Sequence, residues 1–198
     1  IRDGFEGCLS PEGVVELTRA EIRGILPRGG TILGAANRGN PFARQVVGDG
    51  KEVIEDVSNQ VERRITELGL ETLIVVGGDG TLRISLELYR KGMPIVGVPK
   101  TIDNDIGGTE VTLGFDTAVN TAMEAIDRLH TTAESHHRVI VLELMGRDAG
   151  FIALQAGIAG GADVILIPEI PFEYERICET IQAGAERGRR YSIIVAAE

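Results

Sequence analysis

The sequence predicts an α/β fold with a mostly parallel sheet and helices on both of its faces. Apolar runs rich in β-branched residues alternate along the chain with segments whose apolar residues recur at helical spacing. Some runs are almost continuously apolar, as in Leu73–Val76 and Val139–Leu142, which is typical of strands covered on both faces. Strict alternation of strand and helix implies parallel strands joined by right-handed helical crossovers.

Periodicity predicts five strands and three helices with an apolar stripe within one domain. The strands are Thr72–Val76, Ile95–Val98, Arg138–Leu144, Asp163–Ile167 and Tyr191–Ala197. The helices cover 53–68, 115–129 and 174–185, and each has an apolar stripe. No repeat, linker or change in composition divides the chain. We therefore expect a single domain over 1–198 that is incomplete at both ends.

The composition is that of a globular protein, with 43% hydrophobic and 25% charged residues among 198. A formal net charge of −10 argues against nucleic-acid binding, which needs a basic face. No apolar run approaches the roughly 18 residues of a membrane helix, so no membrane partner is expected. Cys8 and Cys178 lack the spacing of a metal site and are expected to be reduced, buried thiols. These features predict a cytoplasmic domain of enzyme size.

The first polar, Gly-rich segment, Gly77–Thr81, follows a predicted strand and precedes a helix expected to begin near Leu82. Its glycines allow a tight turn and a close approach to a ligand, and the amino end of the following helix suits phosphate. Asp79 in such a loop repels phosphate unless a cation lies between them, which indicates Mg²⁺. The alternative is a plain strand-to-helix turn capped by Asp79.

The second segment, Pro99–Asp105, also follows a strand. Asp103 and Asp105 are two residues apart, so in extended chain both carboxylates face the same side. Such a pair beside a phosphate loop suits one carboxylate as a general base and the other near Mg²⁺. Lys100 adds a positive charge for a phosphate. The alternative is a turn rich in Asp and Asn.

The third segment, Met145–Gly150, places Arg147 at a strand end, where it can grip a phosphate or neutralise a migrating phosphoryl group. The alternative is an arginine that caps a loop carboxylate.

Because all three segments follow strands, we expect them to converge on one crevice. Together they contain the parts of a phosphoryl-transfer site. No Gly-x-x-x-x-Gly-Lys-[Ser/Thr] motif is present, so a P-loop NTPase is excluded. Surface or capping roles are predicted for His130, His136 and His137.

In this order and spacing, Gly77–Thr81, Pro99–Ile106 and Met145–Arg147 resemble the phosphofructokinase family. The resemblance covers essentially the whole chain, from Asp3 to Glu198. It implies a phosphofructokinase-like fold and transfer of a phosphoryl group to the 1-hydroxyl of fructose 6-phosphate, giving fructose 1,6-bisphosphate. It also implies a homo-oligomer, usually a tetramer and otherwise a dimer.

The resemblance implies roles for individual residues. Asp103 matches the family's general base, Thr101 the residue that contacts the transferring phosphoryl group, and Asp105 a carboxylate beside the same centre. Asp79 matches the aspartate associated with Mg²⁺. The donor phosphates are implied to lie among Gly78, Gly80 and Thr81.

Further matches concern the sugar phosphate and the nucleotide. The sugar-phosphate loop is matched by Met145, Gly146 and Arg147, and Arg147 also stabilises transition-state charge. Glu198 matches a carboxylate that hydrogen-bonds the sugar. Arg138 matches an arginine that reaches the 6-phosphate of a neighbouring subunit. Arg38 resembles an arginine that contacts the nucleotide.

The phosphoryl donor implied by the resemblance is ATP. In the family, Gly at the position of Gly80 accompanies ATP, whereas Asp there accompanies pyrophosphate. Lys100 is a contrary sign, because pyrophosphate users carry Lys there, although one ATP-using branch combines Gly and Lys as this chain does. Three alternatives remain: a pyrophosphate-dependent enzyme, a kinase of the NAD-kinase or lipid-kinase type, and a non-catalytic subunit that binds sugar phosphate. Kinases of the NAD-kinase or lipid-kinase type have no counterpart of the Pro99–Asp105 and Met145–Arg147 segments. The presence of Asp103 argues against a non-catalytic subunit.

Overall fold

The computed structural model describes residues 1–36, 39–48 and 51–198. The elements within these ranges are, in chain order, α1 (Phe5–Cys8), β1 (Arg44–Gly48), β2 (Lys51–Glu55), α2 (Ser58–Glu67), β3 (Leu73–Gly77), α3 (Asp79–Arg90), β4 (Ile95–Thr101), β5 (Leu113–Gly114), α4 (Phe115–His136), β6 (Val139–Leu144), α5 (Phe151–Ala159), β7 (Val164–Leu166), α6 (Tyr174–Glu186) and β8 (Ser192–Ala197). The five predicted strands are all present, as β3, β4, β6, β7 and β8.

The described strands form three sheets, and most of their pairings are parallel. β1 and β2 make an antiparallel hairpin, β3–β4–β5 is the second sheet, and the third has the order β6–β8–β7. β4 pairs with β5 in parallel, as β6 and β7 do with β8. Leu144 of β6 lies beside Ala197 of β8, so these two strands end level with each other. The predicted α/β class is confirmed.

The chain divides into two compact units, and the first consists of residues 1–75 and 80–98. Its core joins α1, α2, β3 and α3 through the buried side chains of Phe5, Cys8, Val61, Ile65, Leu73, Leu88 and Met93. Burial raises the pKa of the Cys8 thiol, because a low-dielectric surrounding disfavours the thiolate. The expectation of a buried, unpaired thiol is therefore confirmed for Cys8.

The predicted helix over 53–68 is wrong in its first part. Val53 and Ile54 lie in β2, where Val53 is opposite Val46 of β1, and α2 begins only at Ser58. β-branched side chains suit a strand, and pairing with β1 outweighs the helical spacing of these two residues. The Asp56 carboxylate accepts a hydrogen bond of 2.9 Å from the Ser58 amide, which marks the start of the helix. Hydrogen bonds from Ser58 also hold the pKa of Asp56 below its usual value.

The second unit consists of residues 76–79 and 99–198. Its core lies between α4, α5 and the β6–β8–β7 sheet, and the buried residues are Phe115, Ala122, Ile126, Ala133, Ile152, Ala153, Ala156, Ile193 and Val195. Ile102, which follows β4, packs against this core. Cys178 of α6 is exposed, so the prediction that both thiols are buried is wrong for this residue.

Within the described ranges, several apolar strand residues are exposed. In β6, Ile140 and Leu142 pack toward the helices, whereas Val139 and Val141 on the opposite face are 47% and 61% exposed. In β3, Ile74 is 72% exposed. The helices described here pack on one side of β6, which leaves its other side open. None of the described helices has both the length and the apolar character needed to cross a bilayer.

Candidate active site

The Gly77–Thr81 segment is a turn that leads directly into a helix. α3 begins at Asp79, three residues before the predicted start, so Asp79, Gly80 and Thr81 form its first turn rather than a loop. The first amides of a helix lack partners within the helix and carry the positive end of its dipole, which favours an anion. If phosphate binds here, as the sequence predicts, the amides at the start of α3 are the groups that face it. Asp79 adds a carboxylate to this turn.

Gly78 brings the first segment against the second. A Cβ atom at Gly78 would lie 3.6 Å from the Thr101 Cβ and 3.7 Å from the Lys100 carbonyl oxygen. The absence of a side chain at Gly78 therefore allows the end of β3 to approach the end of β4 closely. By contrast, a Cβ atom at Gly80 would meet no atom within 4 Å.

Thr101 and Asp103 form a hydrogen-bonded pair at the end of β4. The Thr101 hydroxyl donates to the Asp103 carboxylate at 3.1 Å, and the Asp103 amide donates to the Thr101 hydroxyl oxygen at 3.2 Å. Because the hydroxyl accepts from the amide, its own proton is left to point at the carboxylate. Both residues are half-buried. The predicted general base is thus held at a defined place by a residue two positions away.

The expectation that Asp103 and Asp105 face the same side rested on an extended chain, and the chain is not extended here. Asn104 between them has a φ of +56°, in the left-handed region. Its side-chain oxygen accepts a hydrogen bond of 2.9 Å from the Thr112 amide, which offsets the cost of that conformation. Asp105 and Lys100 are exposed, whereas Asp103 is half-buried.

The Met145–Gly150 segment is a tight turn with an exposed arginine. The Ala149 amide donates to the Gly146 carbonyl oxygen at 3.0 Å, and a Cβ atom at Gly146 would lie only 2.2 Å from the Ala149 carbonyl oxygen. Arg147 has a φ of +57° and its side chain is 81% exposed. Its Nε atom lies 3.8 Å from the carboxylate of Asp148, a contact of little strength at a surface. The Gly150 amide donates to the Glu169 carboxylate at 2.8 Å.

β6 separates two of the predicted sugar-phosphate ligands. The Glu198 amide donates to the Leu144 carbonyl oxygen at 2.9 Å, so Glu198 lies beside the start of the Met145 turn. Arg138 precedes β6 at the opposite end of the strand. The six residues of β6 span roughly 20 Å, so Arg138 and Glu198 of the same chain are too far apart to contact one ligand group. The predicted Arg38 lies outside the described residues.

Three residues of this region were not singled out from the sequence: Asn104, Thr112 and Glu169. Of these three residues, only Asn104 could have been identified from the sequence, because asparagine between two aspartates is typical of a turn with a left-handed backbone conformation. Thr112 and Glu169 form hydrogen bonds with residues that are 8 and 19 positions away in the sequence, so no local pattern points to them. His130, for which a surface or capping role is predicted, lies within α4 and is half-buried, with Nε2 2.7 Å from the carbonyl oxygen of Gly160 at the end of α5.

The described residues contain no group of three or more His, Cys, Asp or Glu side chains that could hold a metal ion on their own. Magnesium in phosphoryl-transfer sites is commonly bound by one or two carboxylates together with substrate phosphates. Asp79, an oxygen donor in the first turn of a helix suited to phosphate, fits that requirement.

The fold and this site together define an α/β protein whose polar loops lie beyond the carboxyl ends of its strands. The phosphofructokinase family model matches residues 1–198. The chain belongs to the phosphofructokinase family, as its motifs predict.

Known relatives agree with this assignment. The chain is 55% identical over 199 residues to an ATP-dependent 6-phosphofructokinase of Chloroflexus aurantiacus, covering 100% of this chain and 55% of the relative. It is 50% identical to a pyrophosphate–fructose 6-phosphate 1-phosphotransferase of Streptomyces coelicolor, covering 100% and 54%. It is similar to the phosphofructokinase structure from Saccharomyces cerevisiae, with a TM-score of 0.83 and 31% identity over 100% of this chain and 28% of that one. The chain thus spans about half the length of the curated relatives it matches.

Proposed function

We propose that the full chain is a 6-phosphofructokinase of cytoplasmic glycolysis, which transfers the terminal phosphoryl group of ATP to the 1-hydroxyl of fructose 6-phosphate. The observation that carries the proposal is the pair formed by Thr101 and Asp103 at the end of β4, with Gly78 packed beside it. The name of the Chloroflexus relative, ATP-dependent 6-phosphofructokinase, supports fructose 6-phosphate as the acceptor and ATP as the donor.

In the proposed reaction, Asp103 accepts the proton of the sugar 1-hydroxyl as its oxygen attacks the terminal phosphorus of ATP. The bond from that phosphorus to its bridging oxygen breaks, and ADP leaves with the electron pair. Thr101 contacts the phosphoryl group in transit, and Asp105 lies beside the same centre. Arg147 offsets the negative charge of the transition state. The proton passes from Asp103 to solvent after product leaves.

The donor phosphates are proposed to bind at the first turn of α3, where Gly78, Gly80 and Thr81 present backbone amides. Asp79 would hold Mg²⁺, which when bound offsets charge on the donor phosphates. Lys100 contributes a further positive charge, and Arg38 is proposed to contact the nucleotide.

The sugar phosphate is proposed to bind at Met145, Gly146 and Arg147, with Glu198 on a sugar hydroxyl and Arg138 donated by a neighbouring subunit of a homotetramer or dimer. The placement of Arg138 at the far end of β6 supports this division. Co-expression of Arg138→Ala and Asp103→Asn chains tests it, because mixed oligomers would contain sites with both native residues. We expect activity from the mixture and none from either variant alone. An inactive mixture of assembled oligomers contradicts the shared site.

The donor is tested with the full chain, Mg²⁺ and fructose 6-phosphate, offering ATP and pyrophosphate separately. We expect product with ATP alone. Gly80→Asp should abolish this activity through an added side chain and charge, while Gly80→Ala, its uncharged control, should retain most of it. The open space around Gly80 makes both variants compatible with the fold. Binding of fructose 6-phosphate without turnover of either donor would instead indicate a non-catalytic subunit.

Pyrophosphate is the second candidate donor. Two observations favour pyrophosphate. Lys100 precedes Thr101 and Asp103 in the sequence, and the Streptomyces relative is named a pyrophosphate–fructose 6-phosphate 1-phosphotransferase. Product with pyrophosphate alone would mean that Lys100 outweighs Gly80. In that case Lys100→Gly should weaken pyrophosphate use more than it weakens binding of the sugar phosphate.

A further inference from the structure

Thr112 is a buried polar residue for which the proposed chemistry has no use. Its side chain is 2% exposed, and it lies immediately before β5. The Thr112 hydroxyl donates to the Thr101 carbonyl oxygen at 2.8 Å, and the Thr112 amide donates to the Asn104 side-chain oxygen at 2.9 Å. A buried hydroxyl that bonds a backbone carbonyl keeps its position, because breaking the bond would leave the hydroxyl or the carbonyl unpaired at a cost in free energy.

These two contacts lie on either side of Asp103. One fixes the backbone at Thr101, whose hydroxyl bonds the Asp103 carboxylate, and the other fixes Asn104 in its left-handed conformation. The Asn104 amide nitrogen also donates to the Glu110 carbonyl oxygen at 3.4 Å. Asp103 therefore lies in a short segment that Thr112 holds at both ends, through its hydroxyl at Thr101 and through its backbone amide at Asn104.

We propose that Thr112 is a positioning residue, which fixes the Asp103 carboxylate where it can accept the proton of the sugar hydroxyl. The inference rests on the proposed function, because it assigns Thr112 a role only if Asp103 is the general base. The physical reason is that the Thr101–Asp103 contact of 3.1 Å joins two side chains on backbone that Thr112 and Asn104 hold. Displacements of about 1 Å in such a segment commonly cost on the order of 100-fold in rate.

The test compares Thr112→Val, which keeps the shape and removes the hydroxyl, with Thr112→Ser, which keeps the hydroxyl. In the full chain with ATP and Mg²⁺, we expect Thr112→Val to lower kcat by about 10- to 100-fold, while KM for fructose 6-phosphate changes by less than about threefold. Thr112→Ser should restore kcat to within about threefold of the native value. Thr109→Val is the matched control, since the Thr109 hydroxyl bonds the Val111 carbonyl oxygen in the same loop and makes no bond to Thr101. It should leave kcat unchanged.

Amide hydrogen exchange gives a readout that does not depend on turnover. The Asp103 amide, which donates to the Thr101 hydroxyl, should exchange faster in Thr112→Val than in Thr109→Val or the native chain. If Thr112→Val does not fold, Asn104→Gly takes its place. Glycine adopts the left-handed conformation without strain and removes only the side-chain contacts, so the chain should fold and kcat should again fall about 10-fold.

The outcomes separate the two proposals. An active native chain whose Thr112→Val variant keeps the native kcat overturns the positioning role and leaves the proposed function standing. An equal loss of kcat in Thr109→Val, or no rescue by Thr112→Ser, also overturns it. If the native chain turns over neither donor, the proposed function fails and the positioning role fails with it, whatever hydrogen exchange shows.

Discussion

Asp103 and Arg147 lie in the same unit, each shortly after a strand, yet they are held in opposite ways. Asp103 is half-buried and accepts a hydrogen bond from the Thr101 hydroxyl, and Thr112 holds the chain at Thr101 and at Asn104 on either side of it. The Arg147 side chain is 81% exposed and makes only a long surface contact with Asp148. The backbone around Arg147 is fixed by the Gly146 turn, but the guanidinium is not.

This difference follows from what each group is proposed to do. A general base must lie within hydrogen-bond reach of one proton, so its position has to exist before the substrate arrives. A guanidinium that neutralises phosphate charge has several donors and can be drawn into place by the phosphate itself. The comparison predicts that changes near Asp103 mainly affect kcat, whereas changes near Arg147 affect both KM and kcat.

The largest effect is expected for Asp103→Asn. The amide has nearly the same shape but cannot accept a proton, so kcat should fall by about 1,000-fold or more, with KM for fructose 6-phosphate changed by less than about threefold. Steady-state kinetics of the full chain measures both values. If KM rises as much as kcat falls, Asp103 binds substrate and does not act as the base.

Arg147→Lys should have the next largest effect. Lysine keeps the charge but lacks the planar pair of donors, so kcat/KM should fall by about 100-fold. KM should rise because the sugar phosphate is bound less well, and kcat should fall because the charge of the transition state is offset less well. The thermal unfolding midpoint should not move, because the side chain is exposed and surface substitutions usually change stability by less than about 0.5 kcal/mol. A lower midpoint would show that Arg147 holds the turn as well.

Gly146→Ala tests the turn apart from the guanidinium. The new methyl group would lie 2.2 Å from the Ala149 carbonyl oxygen, so the turn has to shift. We expect a loss of about 1–3 kcal/mol in the free energy of unfolding and a rise in KM of about 10-fold. Gly107→Ala is the control, because no atom lies within 4 Å of its Cβ position. An unchanged KM in Gly146→Ala would mean that the shape of the turn does not matter for binding.

The smallest effect is expected for Glu169→Gln. Glu169 accepts the Gly150 amide at 2.8 Å, and the neutral side chain can still accept it with a weaker bond. KM for fructose 6-phosphate should rise by about two- to threefold and the free energy of unfolding should fall by about 1 kcal/mol. Glu173→Gln, an exposed neighbour without this contact, serves as the comparison. A change in kcat rather than KM would contradict the division between the two loops.

The sequence predicted the parts of the fold that follow from periodicity. Continuous apolar runs located β6 and β8, and helical spacing located α4, because burial repeats along these elements. The same rule failed at Val53 and Ile54, whose spacing suits a helix but whose β-branched side chains pair across a hairpin.

Candidate site residues could be named from the sequence where the proposed chemistry is local to a motif. Asp79, Asp103 and Arg147 each lie in a Gly- or Asp-rich segment after a strand, and the pattern is visible within a few residues. Thr112 was not predictable, because a single threonine carries no pattern and its partner Thr101 is 11 residues away. Nor could the sequence show that Asn104 turns the chain between the two carboxylates, since that conformation depends on the same remote residue.

Because Asn104 and Thr112 are hydrogen-bonded to each other, they close the stretch between them into a loop whose tip can be altered from outside. Gly107 at that tip is exposed and has no atom within 4 Å of its Cβ position. A cysteine introduced there can carry a fluorophore a few residues from the proposed base. Cys178 would first be replaced by serine, because it is exposed and would also react, whereas Cys8 is buried. The chain thus offers a labelling position from which the arrival of the proposed sugar phosphate would be followed optically.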